Sequence, residues 1–215
     1  MSPIIKVCGM QEAENIRAVD GLPIDLMGFI FWPKSSRYVS ERPSYLPTHC
    51  QRVGVFVDAD IQEVRQKVAE FGLNYIQLHG HETPDYIRQL RTIDGLPADV
   101  HLIKAFNIAT VSDLAQTKPY DGLVDYYLFD TKGKIVGGNG TQFDWSVLTD
   151  YVGETPFILS GGIGPDDAER LHALRLLDGF PMEKCAGIDL NSRFEVAPAL
   201  KDVDVLQKFL KEFNS

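Results

Sequence analysis

Short runs of β-type residues recur along the chain about every 25 residues, the length of one strand, one helix and two tight loops. Eight runs can be counted: PIIKVC near 3–8, DLMGFIF at 25–31, RVGVFV at 52–57, NYIQLH at 74–79, HLIKAF at 101–106, VDYYLFD at 124–130, TPFILSG at 155–161 and CAGIDL at 185–190. Several are almost continuously apolar, as strands covered on both faces should be. Between them, apolar residues return at helical spacing. In DIQEVRQKVAEF these are Ile61, Val64, Val68 and Phe71. GPDDAERLHALRLLDG places Pro165 and two acids at a helix start, Leu171, Leu174 and Leu177 along one face, and Gly179 near the stop.

The alternation reads βαβα throughout, which predicts an α/β fold with a parallel sheet. Eight units within 215 residues suit a single (β/α)8 barrel of the TIM type, spanning residues 1–215, better than an open doubly wound sheet, which is the runner-up. A barrel of this kind carries its chemistry at the C-terminal ends of the strands and in the loops that follow. The polar residues that interrupt the pattern fall there. Cys8 ends strand one, Arg37 follows strand two, His79 ends strand four, Asp130 ends strand six, Gly161 and Gly162 follow strand seven, and Asp189, Asn191 and Ser192 end strand eight. The Gly-rich stretch KGKIVGGNGT follows strand six and would border the same rim.

Composition narrows the chemistry. A 44% hydrophobic, 24% charged chain of 24.1 kDa reads as a folded globular protein with one core. Twenty-one basic against 30 acidic residues leave a net charge of -9, which repels a polyanion, so nucleic acid is not an expected partner. An anionic small molecule would have to be held by backbone donors and a few local cations. Cys8, Cys50 and Cys185 are odd in number and far apart, with no metal-ligand spacing, which argues against a disulfide framework or a zinc site. MSPIIKVCGM does not read as a signal peptide, and the longest apolar stretch, LMGFIFW, is too short to span a bilayer. A cytoplasmic protein with reduced thiols and no membrane partner is expected.

The motifs KVCG at 6–9, GFIFWPKSSRYV at 28–39, VGVFV at 53–57, IQLHGHE at 76–82, FDTKGKIVGGNGTQFDW at 129–145, LSGGI at 159–163 and GIDLNSRFE at 187–195 occur in order over nearly the whole chain. Together they resemble the phosphoribosylanthranilate isomerase family. The resemblance implies an Amadori rearrangement of N-(5-phosphoribosyl)anthranilate to 1-(2-carboxyphenylamino)-1-deoxyribulose 5-phosphate in tryptophan biosynthesis, with no metal, flavin or nicotinamide. It makes Cys8 the general base and Asp130 the general acid. A thiolate base calls for a lowered pKa, for which Lys6 is a candidate neighbour.

The resemblance also implies substrate contacts. Arg37 would grip the anthranilate carboxylate through paired hydrogen bonds, with Lys34 a nearby second cation. Gly161 and Gly162, with Asn191, Ser192 and Arg193, would form the phosphate cup. His79 is either a strand-end histidine bonded to a carbonyl or support near the substrate, and Asp189 either orders the strand-eight loop or touches a ribose hydroxyl. Two positions depart from the family pattern: Arg193 stands where Gly is usual, a poor residue for a positive φ, and Ser36 stands where Pro is usual. Asn139, in a loop that Gly137, Gly138 and Gly140 would let act as a flap, replaces the more frequent Thr or Ser. The alternatives are another aminoaldose-phosphate isomerase of the same fold, using two aspartates, or a non-catalytic barrel binding a phosphate ligand. A monomer or homodimer is expected.

Overall fold

The computed structural model describes residues 2–92, 96–130 and 145–215. Eight strands pair in chain order, all parallel, and close through β1 on β8. They are β1 (Ile4–Cys8), β2 (Leu26–Ile30), β3 (Gln51–Phe56), β4 (Tyr75–Leu78), β5 (His101–Asn107), β6 (Tyr126–Asp130), β7 (Phe157–Ser160) and β8 (Cys185–Leu190). Each overlaps one of the runs expected from the sequence.

Side chains on a strand alternate between faces, and that period of two builds two cores. Leu26, Val53, Tyr75, Ile103, Ala105, Leu128 and Ile158 fill the barrel interior. Their neighbours on the other face, including Phe29, Ile76, Leu102, Phe129 and Phe157, pack outward in the larger core between barrel and helices. Burying each such large apolar side chain stabilises the fold by roughly 1.5–3 kcal/mol. The same alternation positions the chemistry. Two residues beyond Leu128 on the inward face is Asp130, beyond Ile158 is Ser160, and beyond Tyr75 are Gln77 and then His79.

The helices are α1 (Ala13–Asp20), α2 (Ile61–Phe71), α3 (Pro84–Leu90), α4 (Ala168–Arg175) and α5 (Val203–Phe213). α2 covers the span that the Ile61–Phe71 spacing predicted, capped by the Asp60 carboxylate, which accepts from the Gln62 N–H. α4 is shorter than expected. Pro165 and Asp166 form a turn and the helix begins at Ala168, because Asp167 folds back to accept from the Gly164 N–H at 2.8 Å. Leu177 lies past its end and is 40% exposed.

The alternation is also less regular than βαβα throughout. Residues 111–120 and 145–150 form 3-10 helices, and the β2–β3 connection has no helix. Its last part, rich in Pro and Ser, is pinned instead by buried Asp20, which accepts from the Tyr45 hydroxyl and from the backbone N–H groups of Thr48, His49 and Cys50. After β8 come a 3-10 turn (Ser192–Phe194), a hairpin of β9 (Glu195–Ala197) and β10 (Leu200–Lys201), and then α5. α5 buries Leu206, Phe209, Leu210 and Phe213, which holds the hairpin against the barrel mouth.

Candidate active site

At the C-terminal mouth a cavity of about 210 Å3 is walled by Cys8, Arg37, His79, Asp130, Gly161, Gly162, Asp189, Asn191, Ser192 and Arg193, with Gln77 and Ser160 between them. The structure thus brings together every expected site residue except Lys6. Lys34 is exposed and is not part of the wall. The loop bearing Gly137, Gly138, Asn139 and Gly140 lies outside the described residues. A larger cavity, about 650 Å3, opens elsewhere beside β8, α4 and Phe213, but its lining is mainly apolar and holds no comparable convergence of polar groups.

Cys8 ends β1 and is only 3% exposed. It pairs with Gly28 of β2, and a Cβ at position 28 would come within 2.7 Å of the Cys8 sulfur, so the thiol fills space that only glycine leaves open. Burial pushes the thiol pKa up. Lys6 and Lys201 pull it down, while Asp189 adds to the rise. A thiolate base calls for a lowered pKa, and in the free protein burial acts the other way: desolvation outweighs the cations.

Lys6 sits one layer below Cys8 on the same inward face and is fully buried. Its ammonium donates to Asp189 Oδ1 at 2.7 Å, and the Ser160 hydroxyl donates to Asp189 Oδ2 at 3.2 Å. Burial opposes the charge on Lys6, but Asp189 and Cys8 more than offset it and hold the ammonium protonated. Lys6 thus supports Cys8 and Asp189 from beneath instead of touching a ligand.

Asp130 ends β6 and is buried. His79 Nε2 stands 3.7 Å from its Oδ2, an ion-pair distance too long for a direct hydrogen bond. On the ring's other side the Gln77 amide nitrogen lies 2.9 Å from His79 Nδ1. When that amide donates, Nδ1 accepts and the ring proton sits on Nε2, facing Asp130. Gln77 was not singled out by sequence, although its place two residues before His79 on one strand face was readable.

Gly161 and Gly162 follow β7 with φ of 96° and 72°. Two consecutive left-handed residues are open to glycine alone at low cost, and they curl the chain around the cavity with no side chain in the way. Opposite them, Arg193 lies in the 192–194 turn. Its φ is not positive, so the expected conflict with the missing glycine does not arise. Its guanidinium lies against Gly164, where a Cβ would be 3.3 Å from Nη2.

Arg37 comes from the β2–β3 connection. Its N–H donates to the Ser35 hydroxyl at 3.1 Å, and Ser35 N–H donates to Trp32 O at 2.9 Å, so the turn is pinned with Ser36 in place of Pro. The guanidinium grips Glu195: Nε donates to Oε1 at 2.8 Å and Nη2 to Oε2 at 2.5 Å. Lys201, fully buried, donates to Glu195 Oε1 at 2.5 Å and to Asn191 Oδ1 at 3.1 Å. Burial alone would raise the Glu195 pKa, but Arg37 and Lys201 carry it below the ordinary carboxylate value. Glu195 and Lys201 were missed by sequence reasoning. The signal was a pair of charges flanking the turn in FEVAPALK, recognisable only once the hairpin is known.

A family model described as N-(5'phosphoribosyl)anthranilate (PRA) isomerase matches residues 5–212. The chain is 50% identical to the N-(5'-phosphoribosyl)anthranilate isomerase of Phocaeicola vulgatus over 98% of both chains, and 46% identical to that of Parabacteroides distasonis over 97% of this chain and 92% of the other. Among solved structures, phosphoribosyl anthranilate isomerase from Thermotoga maritima superposes with a TM-score of 0.77 at 27% identity over 99% of each chain. A second solved structure of a phosphoribosyl anthranilate isomerase, in complex with reduced 1-(o-carboxyphenylamino)-1-deoxyribulose 5-phosphate, superposes with a TM-score of 0.75 at 25% identity, again over 99% of each chain. Among the described residues, no helix is long and apolar enough to cross a membrane.

Proposed function

Because the chain belongs to the N-(5'-phosphoribosyl)anthranilate isomerase family, we propose a division of labour for its aldose–ketose rearrangement in which Asp130 is the acid and Cys8 the base. The reaction is the Amadori rearrangement of N-(5-phosphoribosyl)anthranilate to 1-(2-carboxyphenylamino)-1-deoxyribulose 5-phosphate, a step of tryptophan biosynthesis. One observation carries the assignment: Cys8 and Asp130, from β1 and β6, line the same cavity, whose rim also carries the Gly161–Gly162 turn.

Asp130 gives its proton to the furanose ring oxygen while the anthranilate nitrogen pushes the ring open to an iminium. Cys8, as thiolate, then takes the proton from C2, and the electron pair moves to the nitrogen to give an enolamine that tautomerises to the ketone. The thiolate is the minor form in the free enzyme. The iminium charge, one carbon from C2, favours it at the moment it is needed. His79, oriented by Gln77, faces Asp130 and steadies the carboxylate it leaves behind. The amides of Gly161, Gly162, Ser192 and Arg193 receive the phosphate, and Arg37 receives the anthranilate carboxylate. Asp189 orders the mouth through Lys6 and Ser160.

A two-aspartate isomerase needs a carboxylate at the end of the first strand, where this chain has Cys8. The protein works in the cytoplasm as a monomer or homodimer, each barrel supplying a full cavity. Expression in a tryptophan auxotroph lacking this isomerase tests the assignment: growth without tryptophan is expected, and no growth despite abundant folded protein sinks it.

A further inference from the structure

Arg37 must serve two carboxylates, and its geometry divides it between them. A guanidinium carries five N–H donors. Glu195 takes the side edge, with Nε donating to both of its oxygens at 2.8 and 3.1 Å and Nη2 donating to Oε2. The end edge, made of Nη1 and the second Nη2 hydrogen, makes no hydrogen bond among the described residues. That edge has the spacing to take a second carboxylate through two parallel bonds, and Arg37 lines the cavity that contains Cys8. The arginine stem lies over bare backbone, since a Cβ at Gly9 would come 2.6 Å from Arg37 Cδ.

Glu195 creates a difficulty as well as an orientation. A buried negative charge next to the place where a second carboxylate must dock repels it, and more strongly there than in water. Lys201 shares the Glu195 carboxylate with Arg37, both donating to Oε1. Its ammonium is fully buried, donating to Glu195 Oε1 and Asn191 Oδ1, and so has no access to a ligand. Its backbone is locked by α1: Asn15 Nδ2 donates to Lys201 O at 2.9 Å and Lys201 N–H donates to Asn15 Oδ1 at 2.8 Å. Burial lowers the pKa of Lys201, and Glu195 works against that loss. Two cations and one carboxylate leave a net positive charge, balanced when a second carboxylate arrives.

We propose that Lys201 is a positioning residue for substrate selection, cancelling the charge of Glu195 so that Arg37 prefers an aryl aminosugar phosphate with a ring carboxylate over one without it. The inference rests on the reading that Arg37 receives that carboxylate.

The test compares inhibition by reduced 1-(o-carboxyphenylamino)-1-deoxyribulose 5-phosphate with inhibition by the same compound lacking the ring carboxylate. Wild type prefers the carboxylated ligand and Arg37→Ala loses the preference. Lys201→Met lowers the preference about tenfold, by weakening the carboxylated ligand alone. Adding Glu195→Gln to Lys201→Met restores most of it, because the amide keeps an acceptor for Arg37 but carries no charge. Equal weakening of both ligands in Lys201→Met, or a double variant no better than the single, overturns the proposal. An Arg37→Ala enzyme that keeps its preference removes the reading of Arg37 and the proposal together. Loss of preference in Arg37→Ala with none in Lys201→Met removes the proposal alone. Should Lys201→Met not fold, Glu195→Gln by itself decides: a preference at or above wild type supports charge cancellation, and a tenfold fall refutes it.

Discussion

Two buried ion pairs flank this barrel mouth, and they differ in what is left over. On the β4–β5 side, Lys104 donates to the carbonyls of Leu78, Gly80 and Ala105 at 3.3, 2.8 and 3.1 Å, with Glu82 Oε2 at 3.3 Å. Glu82 in turn accepts from the N–H groups of Asp58 and Gly80, each at 2.9 Å. Burial pulls the Lys104 pKa down, and Glu82 and Asp58 oppose that fall only in part. An ammonium has three donors, and here all are spent on structure. On the β1–β8 side, Arg37, Glu195 and Lys201 form a triad in which the side chains of Glu195 and Lys201 are buried and that of Arg37 is partly exposed, and one edge of the guanidinium, at the cavity, makes no hydrogen bond among the described residues. Buried charge alone does not mark a functional site. Unspent donor capacity facing a cavity does.

The largest effect that could break this contrast lies in the two proton-transfer residues. Cys8→Ala and Asp130→Asn should each lower kcat by about a thousandfold, with the thermal midpoint within a few degrees of wild type. Near-normal turnover in either variant removes that residue from its role. The pH profile adds a sign. Because burial raises the Cys8 thiol and the base must be the thiolate, the residual kcat/KM of Asp130→Asn, in which no acid at position 130 titrates, should climb with pH along a limb whose midpoint lies above the ordinary thiol value. A plateau reached well below that value contradicts the assignment of this thiol. Lys104→Met is the counterpart on the saturated side. It leaves the Glu82 carboxylate buried without its cation, which should cost about 3 kcal/mol in denaturant unfolding. kcat should stay within about twofold, since Lys104 is not part of the cavity wall. Lost turnover at unchanged stability would erase the distinction between the two pairs.

How far the site was readable follows the same division. The strands were legible because eight apolar runs recur about every 25 residues, and the alternation of side chains along each strand then delivers His79, Asp130 and Asp189 to one rim. What failed was local. Pro165 looked like a helix start, but Asp167 drew the preceding turn closed and α4 began at Ala168. The β2–β3 connection held no helix because Asp20, itself the last residue of α1, gathers that chain by hydrogen bonds with no periodic signature. Glu195 and Lys201 were hidden for a third reason. Each contacts Arg37 or Cys8 only electrostatically or across more than 150 residues of chain, and a single charged residue in a hairpin carries no mark of what it faces. The direction of the Cys8 shift was not readable because sequence gives its cations but not the depth of its burial.

The smallest expected effect belongs to Arg193, and it separates backbone from charge on the phosphate side of the cavity. Its φ is ordinary and its guanidinium, on an exposed residue, rests against Gly164, so a glycine here gains no needed conformation. What substitution removes is one partly solvated cation near the Gly161–Gly162 turn, worth about 0.2–1 kcal/mol. Arg193→Gln and Arg193→Gly should therefore both weaken inhibition by inorganic phosphate by about two- to fivefold. The loss should shrink as ionic strength rises, because screening acts on exposed charge. A loss in Arg193→Gly with none in Arg193→Gln would mean that backbone freedom, not the guanidinium, sets the affinity. No loss in either would mean that the side chain points away from the phosphate and that the amides of the two Gly turns and the 192–194 segment suffice.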